Sequence, residues 1–252
     1  MLDTPWKIAA LVGGLIFLRL LVGALKKLPQ RIFLVELLNS ALIAFALVFL
    51  LIRPFLLQAF YIPSGSMEET LHGPDPFTRR PGDRILVNKF IYHLGQPRRG
   101  DILVFGAPPQ AFYGDRFDDG AFNGSKDFIK RVIGLPGDRV QVKAGDGVYV
   151  NGQRLNEPYL REPPNYDWPP PTSPLAEGSP AYIWPDENLG QPYVVPSGHI
   201  VVFGDNRNSS NDSHLWRDPQ TGEARPALPL DRVLGRSLVI FWPPNRFGRL
   251  TH

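Results

Sequence analysis

The chain has 252 residues, which is enough for one sizeable domain with additional segments. Its net charge of +3 includes no long run of Lys or Arg, so nucleic-acid binding is not expected. It has no Cys, which excludes disulfides, thiol nucleophiles and thiolate metal sites, and its 5 His residues lack HExxH spacing, so we expect neither a metal nor another cofactor.

Two apolar segments come first in the chain, at residues 6–25 and 32–52. Each has about 20 residues, and a helix of that length crosses the roughly 30 Å core of a bilayer. The basic loop at 26–31, KKLPQR, lies between them and should remain cytoplasmic by the positive-inside rule. We therefore predict two transmembrane helices joined by a cytoplasmic loop.

These segments divide the chain into a membrane anchor, residues 1–53, and an extracytoplasmic domain, residues 54–252. A competing interpretation makes residues 1–25 a cleavable signal peptide. It is disfavoured because Arg19 interrupts the apolar stretch and because two lysines, rather than a small-residue cleavage site, follow it. The lipid bilayer is thus the first expected partner.

The extracytoplasmic domain repeats one pattern, a glycine-containing turn followed by β-branched and aromatic residues, which is typical of strands. The pattern occurs at residues 80–90, 98–108, 135–152, 196–206 and 235–244. The near copies GDILVFG and GHIVVFG indicate either an internal repeat or, as we favour, two buried strands after tight turns. DGVYVNG predicts a strand that ends in an Asn-Gly hairpin turn. The predicted fold class is mainly β, an antiparallel domain of several sheets tethered by two N-terminal transmembrane helices.

Two regions of this domain, residues 108–127 and 157–196, read as inserted loops. The second contains eleven prolines, and proline cannot donate a hydrogen bond to a sheet ladder. We expect both regions to be extended and partly mobile.

Lys130 lies in the apolar segment DFIKRVIG. Alternate residues of a strand share a face, so Lys130 would lie with Phe128 and Val132. If that face packs inward, desolvation lowers the pKa of the lysine and lets it act as a general base. On this segment alone, a surface strand with a solvated lysine is the more ordinary alternative.

Two further segments combine small hydroxyl and amide residues. IPSGSM places Ser64 and Ser66 on a tight turn, where a hydroxyl and a backbone N–H can converge, although such turns are common. GDNRNSSNDS follows a strand and is by itself a well-ordered structural turn. It is not a calcium loop of the EF-hand type, because Ser210 and Trp216 stand where Gly and Glu are needed.

Five motifs occur in one order: IPSGSM, GDRILVNKF, RGDILVF, DFIKRVIGLPGD and GDNRNSSNDS. In this order and spacing, over residues 53 to about 243, the chain resembles the bacterial type I signal peptidases, and its tandem apolar segments fit that family too. The resemblance implies a membrane-bound serine endopeptidase with a Ser/Lys dyad. It would cleave signal peptides from exported preproteins on the outer side of the plasma membrane, so its nucleophile would lie near the bilayer surface.

Residue roles follow from the resemblance by position. Ser66 corresponds to the nucleophile and Lys130 to the general base. Ser64 and the backbone N–H of Ser66 correspond to the oxyanion hole, and Ser210 to the serine that orients the lysine amine. The positions of structural supports are matched by Asp205, Arg131 and Asp212. The positions that line substrate pockets are matched by Phe60, Ile62, Met67, Leu71, Phe128 and Ile129.

Two residues depart from the family pattern. Glu69 stands where a proline is usual, which brings the shape of the local turn into question. His214 stands where an arginine often occurs, which does the same for a salt bridge to Asp205 or Asp212.

Other functions remain as alternatives. One is a Ser-His-Asp hydrolase that uses His214 or His199 with Asp212 or Asp205. Another is an inert, membrane-anchored β module that binds exported proteins. Self-cleaving repressors also use a Ser/Lys dyad, but they carry DNA-binding helices where this chain has apolar segments.

Overall fold

A computed structural model describes residues 5–25, 29–112, 127–171, 184 and 189–250. The chain divides into two compact units, residues 1–58 and residues 59–252. The helices are α1 (Pro5–Ala24), α2 (Arg31–Ala46), which continues as a π-helical segment (Leu47–Leu56), and the short α3 (Ile91–Leu94). The strands are β1 (Leu57–Tyr61), β2 (Arg84–Asn88), β3 (Ile102–Gly106), β4 (Asp127–Gly134), β5 (Arg139–Lys143), β6 (Gly147–Val150), β7 (Gln153–Arg154), β8 (Tyr193–Val194), β9 (His199–Phe203), β10 (Leu228–Pro229), β11 (Val233–Trp242) and β12 (Gly248–Arg249).

The first unit is a pair of apolar helices. Arg31–Phe49 is long and apolar enough to cross a membrane, with a mean hydropathy of 2.4, whereas the apolar stretch of α1, Ala9–Ala24, is shorter. The structure therefore supports one of the two predicted spans. The guanidinium of Arg19 donates a hydrogen bond to the side chain of Asn39 at 3.1 Å, so polar residues of the two helices pair with each other. Residues 26–28 of the predicted basic loop lie outside the described residues.

The larger sheet of the second unit has eight strands in the order β1-β2-β11-β3-β4-β9-β10, with β12 on β11. The pairs β2–β11, β11–β3, β3–β4 and β4–β9 are antiparallel. Strand β4 carries Lys130 opposite Leu103 of β3, and it carries Arg131 opposite Phe203 of β9. The two near-copy segments thus form β3 and β9, on either side of the lysine strand.

The smaller sheet has the order β7-β6-β5-β8 and is antiparallel throughout. Its β6–β7 hairpin turns at Asn151 and Gly152, whose φ angles of 54° and 81° are those of the predicted Asn-Gly hairpin turn. Every predicted turn-and-strand segment contains a strand, which confirms the mainly antiparallel β class.

One hydrophobic core joins the serine turn to the larger sheet. Met67 and Leu71, both fully buried, pack with Ile85, Ile102 and Ile129. Burying a side chain of this size contributes about 1.5–3 kcal/mol, so this core holds the turn against the sheet.

A second core explains the proline-rich region. Trp168 and Trp184 are 1% and 3% exposed and pack with the apolar side chains of the smaller sheet. The backbone of Trp168 also exchanges hydrogen bonds with Val142 at 2.6 and 3.0 Å. The described parts of residues 157–196 are therefore built into the domain, which the proline count did not indicate. Residues 172–183 and 185–188, and residues 113–126 of the other predicted insertion, lie outside the described residues.

Candidate active site

Lys130 is buried in the middle of the larger sheet. It alternates along β4 with Phe128 and Val132, which both pack in a third hydrophobic core. The residue itself is only 4% exposed. Desolvation lowers the pKa of Lys130 to about 8, although the negative charges of Asp212 and Asp205 act in the opposite direction. The alternative of a surface strand with a solvated lysine is therefore wrong.

The serine turn meets this lysine directly. The amine nitrogen Nζ of Lys130 lies 2.9 Å from the Oγ of Ser66, and it also donates to the carbonyl oxygen of Ile129 at 2.9 Å. The exposed hydroxyl of Ser64 lies 3.4 Å from the Oγ of Ser66. Across 64 residues of sequence, the fold thus brings a serine hydroxyl within hydrogen-bond reach of an amine whose pKa is depressed.

The loop after β9 holds the serine turn in place. The backbone N–H of Asn206 donates to the carbonyl of Ser66, and its side-chain amide donates to the carbonyl of Gly65, each at 3.1 Å. Gly204 lies so close that a Cβ there would collide with the carbonyl of Ser66 and the hydroxyl of Ser210. The predicted site omitted Gly204 and Asn206, and the only signal for them in the sequence is their place in the GDN triplet.

The predicted supports Arg131 and Asp205 form a buried pair. The guanidinium donates two hydrogen bonds to the carboxylate, at 2.8 and 2.7 Å, and a third to the carbonyl of Gly100 at 3.0 Å. The hydroxyl of Thr70, four residues after the nucleophile candidate, donates to the same carboxylate at 2.5 Å. Asp205 therefore links the lysine strand to the segment that follows the serine turn.

The third predicted support, Asp212, belongs to the same loop. One carboxylate oxygen accepts the N–H of Gly204 at 2.8 Å, and the other lies 2.6 Å from Nδ1 of His214. Burial raises the pKa of Asp212, but the charge and hydrogen bonds of His214 and the Gly204 N–H outweigh it and leave the pKa lowered. The residue that departs from the family pattern thus pairs with Asp212.

Ser210, the predicted lysine-orienting residue, is 7% exposed. Its hydroxyl makes no hydrogen bond of ordinary geometry among the described residues, but it interacts with the Asp212 carboxylate and helps to lower the pKa of that group. The partners of the lysine amine are Ser66 and Ile129. Ser210 therefore packs against Gly204 without a hydrogen bond to Lys130.

A cleft of about 500 Å³ opens above the two central residues. Of the six predicted pocket residues, Phe128 and Ile129 line it. Ile62, Met67 and Leu71 are at most 2% exposed and belong to the first core, on which the partly buried Phe60 also packs. The cleft has four further lining residues that the pattern did not suggest: Pro63, Asp127, Ser209 and Asn211.

No metal chemistry is indicated by the side chains that the structure describes. Among them, no group of three or more His, Asp or Glu residues could hold a metal ion.

Comparisons with known proteins agree on one family. The family model described as "Signal peptidase, peptidase S26" matches residues 34–242. A signal peptidase I of Leptolyngbya laminosa is 40% identical over 199 residues, covering 79% of this chain and 75% of that protein. A signal peptidase I of Pseudomonas aeruginosa is 30% identical over 261 residues, covering 90% and 80%. A crystal structure of a signal peptidase I from Enterococcus faecalis is 26% identical, covers 56% of this chain and 97% of its own, and has a TM-score of 0.32, at which it carries no argument about the fold.

Proposed function

The chain belongs to the signal peptidase family, peptidase S26, and from this premise we propose that it cleaves signal peptides from exported preproteins with Ser66 as nucleophile and Lys130 as general base. The observation that carries the proposal is the 2.9 Å separation between the Lys130 amine and the Ser66 hydroxyl. A buried lysine and a partly exposed serine at this distance have the geometry that activation of a nucleophile requires.

The reaction begins with Lys130 in its neutral form. Its amine accepts the proton of Ser66, whose oxygen attacks the carbonyl carbon at the cleavage site. The amine then gives the proton to the departing nitrogen, and the peptide bond breaks. A water molecule, activated by the same amine, releases the acyl group from Ser66. Because Nζ also donates to the carbonyl of Ile129, the amine is held on the side of the cleft where Ser66 lies.

The negative charge that develops on the substrate oxygen needs donors. The Ser64 hydroxyl lies beside the nucleophile, and the backbone N–H of Ser66 has no acceptor among the described residues. We assign these two groups to the oxyanion hole. One such donor contributes about 3 kcal/mol of transition-state stabilisation in other hydrolases.

The substrate segment is proposed to bind as an extended strand. Pairing between β4 and β9 begins at Arg131, so within the described residues the β9-side edge of Asp127–Lys130 has no partner strand. An extended peptide can add to such an edge, with alternate side chains entering pockets. Phe128 and Ile129 would then form pocket walls that favour small side chains near the cut.

A second membrane-spanning helix is proposed beside the one that length and hydropathy support. We propose that α1 and α2 both cross the plasma membrane, that residues 26–31 are cytoplasmic and that the catalytic unit is external. The Arg19–Asn39 hydrogen bond supports this, because polar side chains in membrane helices are generally paired with one another. A lipid bilayer is accordingly a proposed partner beside the signal peptide.

The Ser-His-Asp alternative has weaker geometric support. Nδ1 of His214 faces Asp212, while the recorded partners of the Ser66 hydroxyl are Lys130 and Ser64. His199 instead lies 2.9 Å from the carbonyl of Ser197. We therefore propose the dyad over a histidine-based triad.

The test is cleavage of a purified preprotein by the full-length enzyme in detergent. Ser66→Ala and Lys130→Ala should each abolish processing, since one removes the attacking oxygen and the other the base. Ser197→Ala and Lys143→Ala change an exposed serine and an exposed lysine and should leave processing unchanged. Processing at the wild-type rate by folded Ser66→Ala or Lys130→Ala enzyme would refute the assignment.

A further inference from the structure

Two buried carboxylates lie close to the dyad: Asp205 binds Arg131, the chain neighbour of the lysine, and Asp212 accepts the N–H of Gly204, which packs against the carbonyl of Ser66. Asp205 and Asp212 are 1% and 0% exposed, and the negative charge of each favours the protonated form of Lys130. Their effect opposes the desolvation that lowers the pKa of the amine. Anything that offsets either carboxylate therefore makes the neutral, reactive amine easier to form.

Each carboxylate has its own counter-ion, and the two differ in kind. Asp205 is held by the guanidinium of Arg131, which keeps its positive charge throughout the range in which proteins are stable. Asp212 is held by the imidazole of His214, with Nδ1 and Oδ1 2.6 Å apart. A guanidinium has no neutral form in proteins whereas an imidazole has one, so the charge opposite Asp212 is not permanent in the way that the charge opposite Asp205 is.

The surroundings keep the imidazole close to Asp212 and away from water. The His214 side chain is 12% exposed, and its ring stacks on Tyr166 with centroids 4.2 Å apart. The ring of Phe203 meets it edge to face, with centroids 6.3 Å apart. Asp212 and Tyr166 are the titratable side chains that these contacts place against it. Little solvent is present to screen the charge, and Asp212 is in turn fixed by the N–H of Gly204.

We propose that His214 is a positioning residue that tunes the base, because its charge offsets Asp212 and so sets how readily Lys130 becomes neutral. The inference rests on the proposed role of Lys130. Protonated His214 cancels part of the field of Asp212 and favours the neutral amine. Neutral His214 leaves Asp212 uncompensated, and Asp212 then holds Lys130 in its protonated form.

The experiment compares the pH dependence of kcat/KM for full-length His214→Arg and His214→Gln enzymes acting on one preprotein. Arginine keeps the charge at every pH and glutamine never carries it. The rising limb of the Arg variant should therefore lie at a pH lower by about 0.5 or more than that of the Gln variant. His93→Gln changes an exposed histidine and should not move the limb.

A purely structural role for His214 would lower the rate without separating the two limbs, so coincident limbs overturn the inference. If His214→Arg does not fold, His214→Lys supplies the permanent charge and the same order against His214→Gln is expected. Lys130→Ala separates a failure of the dyad from a failure of the role given to His214. An inactive variant supports the dyad whatever the positions of the limbs, and an active variant refutes it.

Discussion

The guanidinium of Arg131 and the carboxylate of Asp205 form a two-point hydrogen-bonded pair whose side chains are 2% and 0% exposed. Arg131 is the immediate neighbour of the proposed base, and Asp205 also accepts the hydroxyl of Thr70 from the segment after the serine turn. The pair, whose members are 74 residues apart in sequence, therefore connects the element carrying the base to the element carrying the nucleophile.

Asp205→Asn should destabilise the protein strongly, because it removes the carboxylate charge that neutralises the buried guanidinium of Arg131. Breaking one side of a buried ion pair costs about 3–5 kcal/mol. Urea unfolding of the full-length enzyme in detergent, followed by Trp fluorescence, measures the change. Asp146→Asn breaks the exposed pair with Arg154 and should cost less than about 1 kcal/mol. Equal unfolding midpoints for the two variants would contradict the structural role of Asp205.

Much of the fold was predictable from short-range patterns. A tight turn followed by β-branched residues predicted β2, β3, β9 and β11, because glycine and strand-forming residues act within a few positions. Trp168 shows where such patterns fail. Its burial against the smaller sheet depends on contacts far away in sequence, so the prolines around it suggested a loop instead.

The parts of the site that could be predicted are those in which a motif contains the reactive side chain. Ser66 and Lys130 stand out by residue type and by the order of motifs, and the structure brings them together. Met67 and Leu71 show the limit, since an apolar side chain after a turn can face either a cleft or the core. Only the path of the turn decides this, and it directs both into the core.

Gly204→Ala should impair catalysis more than stability. The added methyl group would meet the carbonyl of Ser66 and the hydroxyl of Ser210, so the serine turn must move away from the lysine. We expect kcat/KM for preprotein to fall by about 10²-fold, which is the loss that a misplacement of reacting groups by about 1 Å can cause. Gly106→Ala is the matched control, because a methyl group there meets no atom within 4 Å. Similar rates for the two variants would show that the contact is not required.

Ser64→Ala should lower kcat by about 10²–10³-fold, the usual effect of removing one oxyanion donor. The exposed hydroxyl has little packing to lose, so the unfolding midpoint should stay the same. Ser64→Thr keeps a hydroxyl and should recover part of the rate in single-turnover assays. A loss below about tenfold for Ser64→Ala would place that hydroxyl outside the oxyanion hole.

The proposed topology predicts which side of the membrane is accessible. Protease added to intact spheroplasts should digest the catalytic unit, residues 59–252, while the loop at 26–31 should be protected. A cysteine introduced at Gln30, in a chain without other Cys, should react with an impermeant thiol reagent only after the membrane is opened. Labelling of that cysteine in intact spheroplasts would reverse the proposed orientation.

The depressed pKa of Lys130 predicts the pH dependence of cleavage. The amine must be neutral to accept the proton of Ser66, so activity should rise with pH and level off above the lysine pKa, about 8. At pH 7 about one molecule in ten would then carry the neutral base, against fewer than about one in 10³ for a solvated lysine. The rising limb of kcat/KM should therefore lie near pH 8 rather than above 10.

Lys130→Arg tests the assignment of Lys130 as general base by keeping the positive charge and removing the ability to lose a proton. A guanidinium does not give up its proton in this range, so the variant should be almost inactive at every pH although its positive charge is kept. Lys143→Arg, at an exposed position of β5, should process preprotein at the wild-type rate with an unchanged pH profile. Processing by Lys130→Arg above a few per cent of the wild-type rate would mean that another group accepts the proton of Ser66. The histidine-based alternative would then have to be reconsidered.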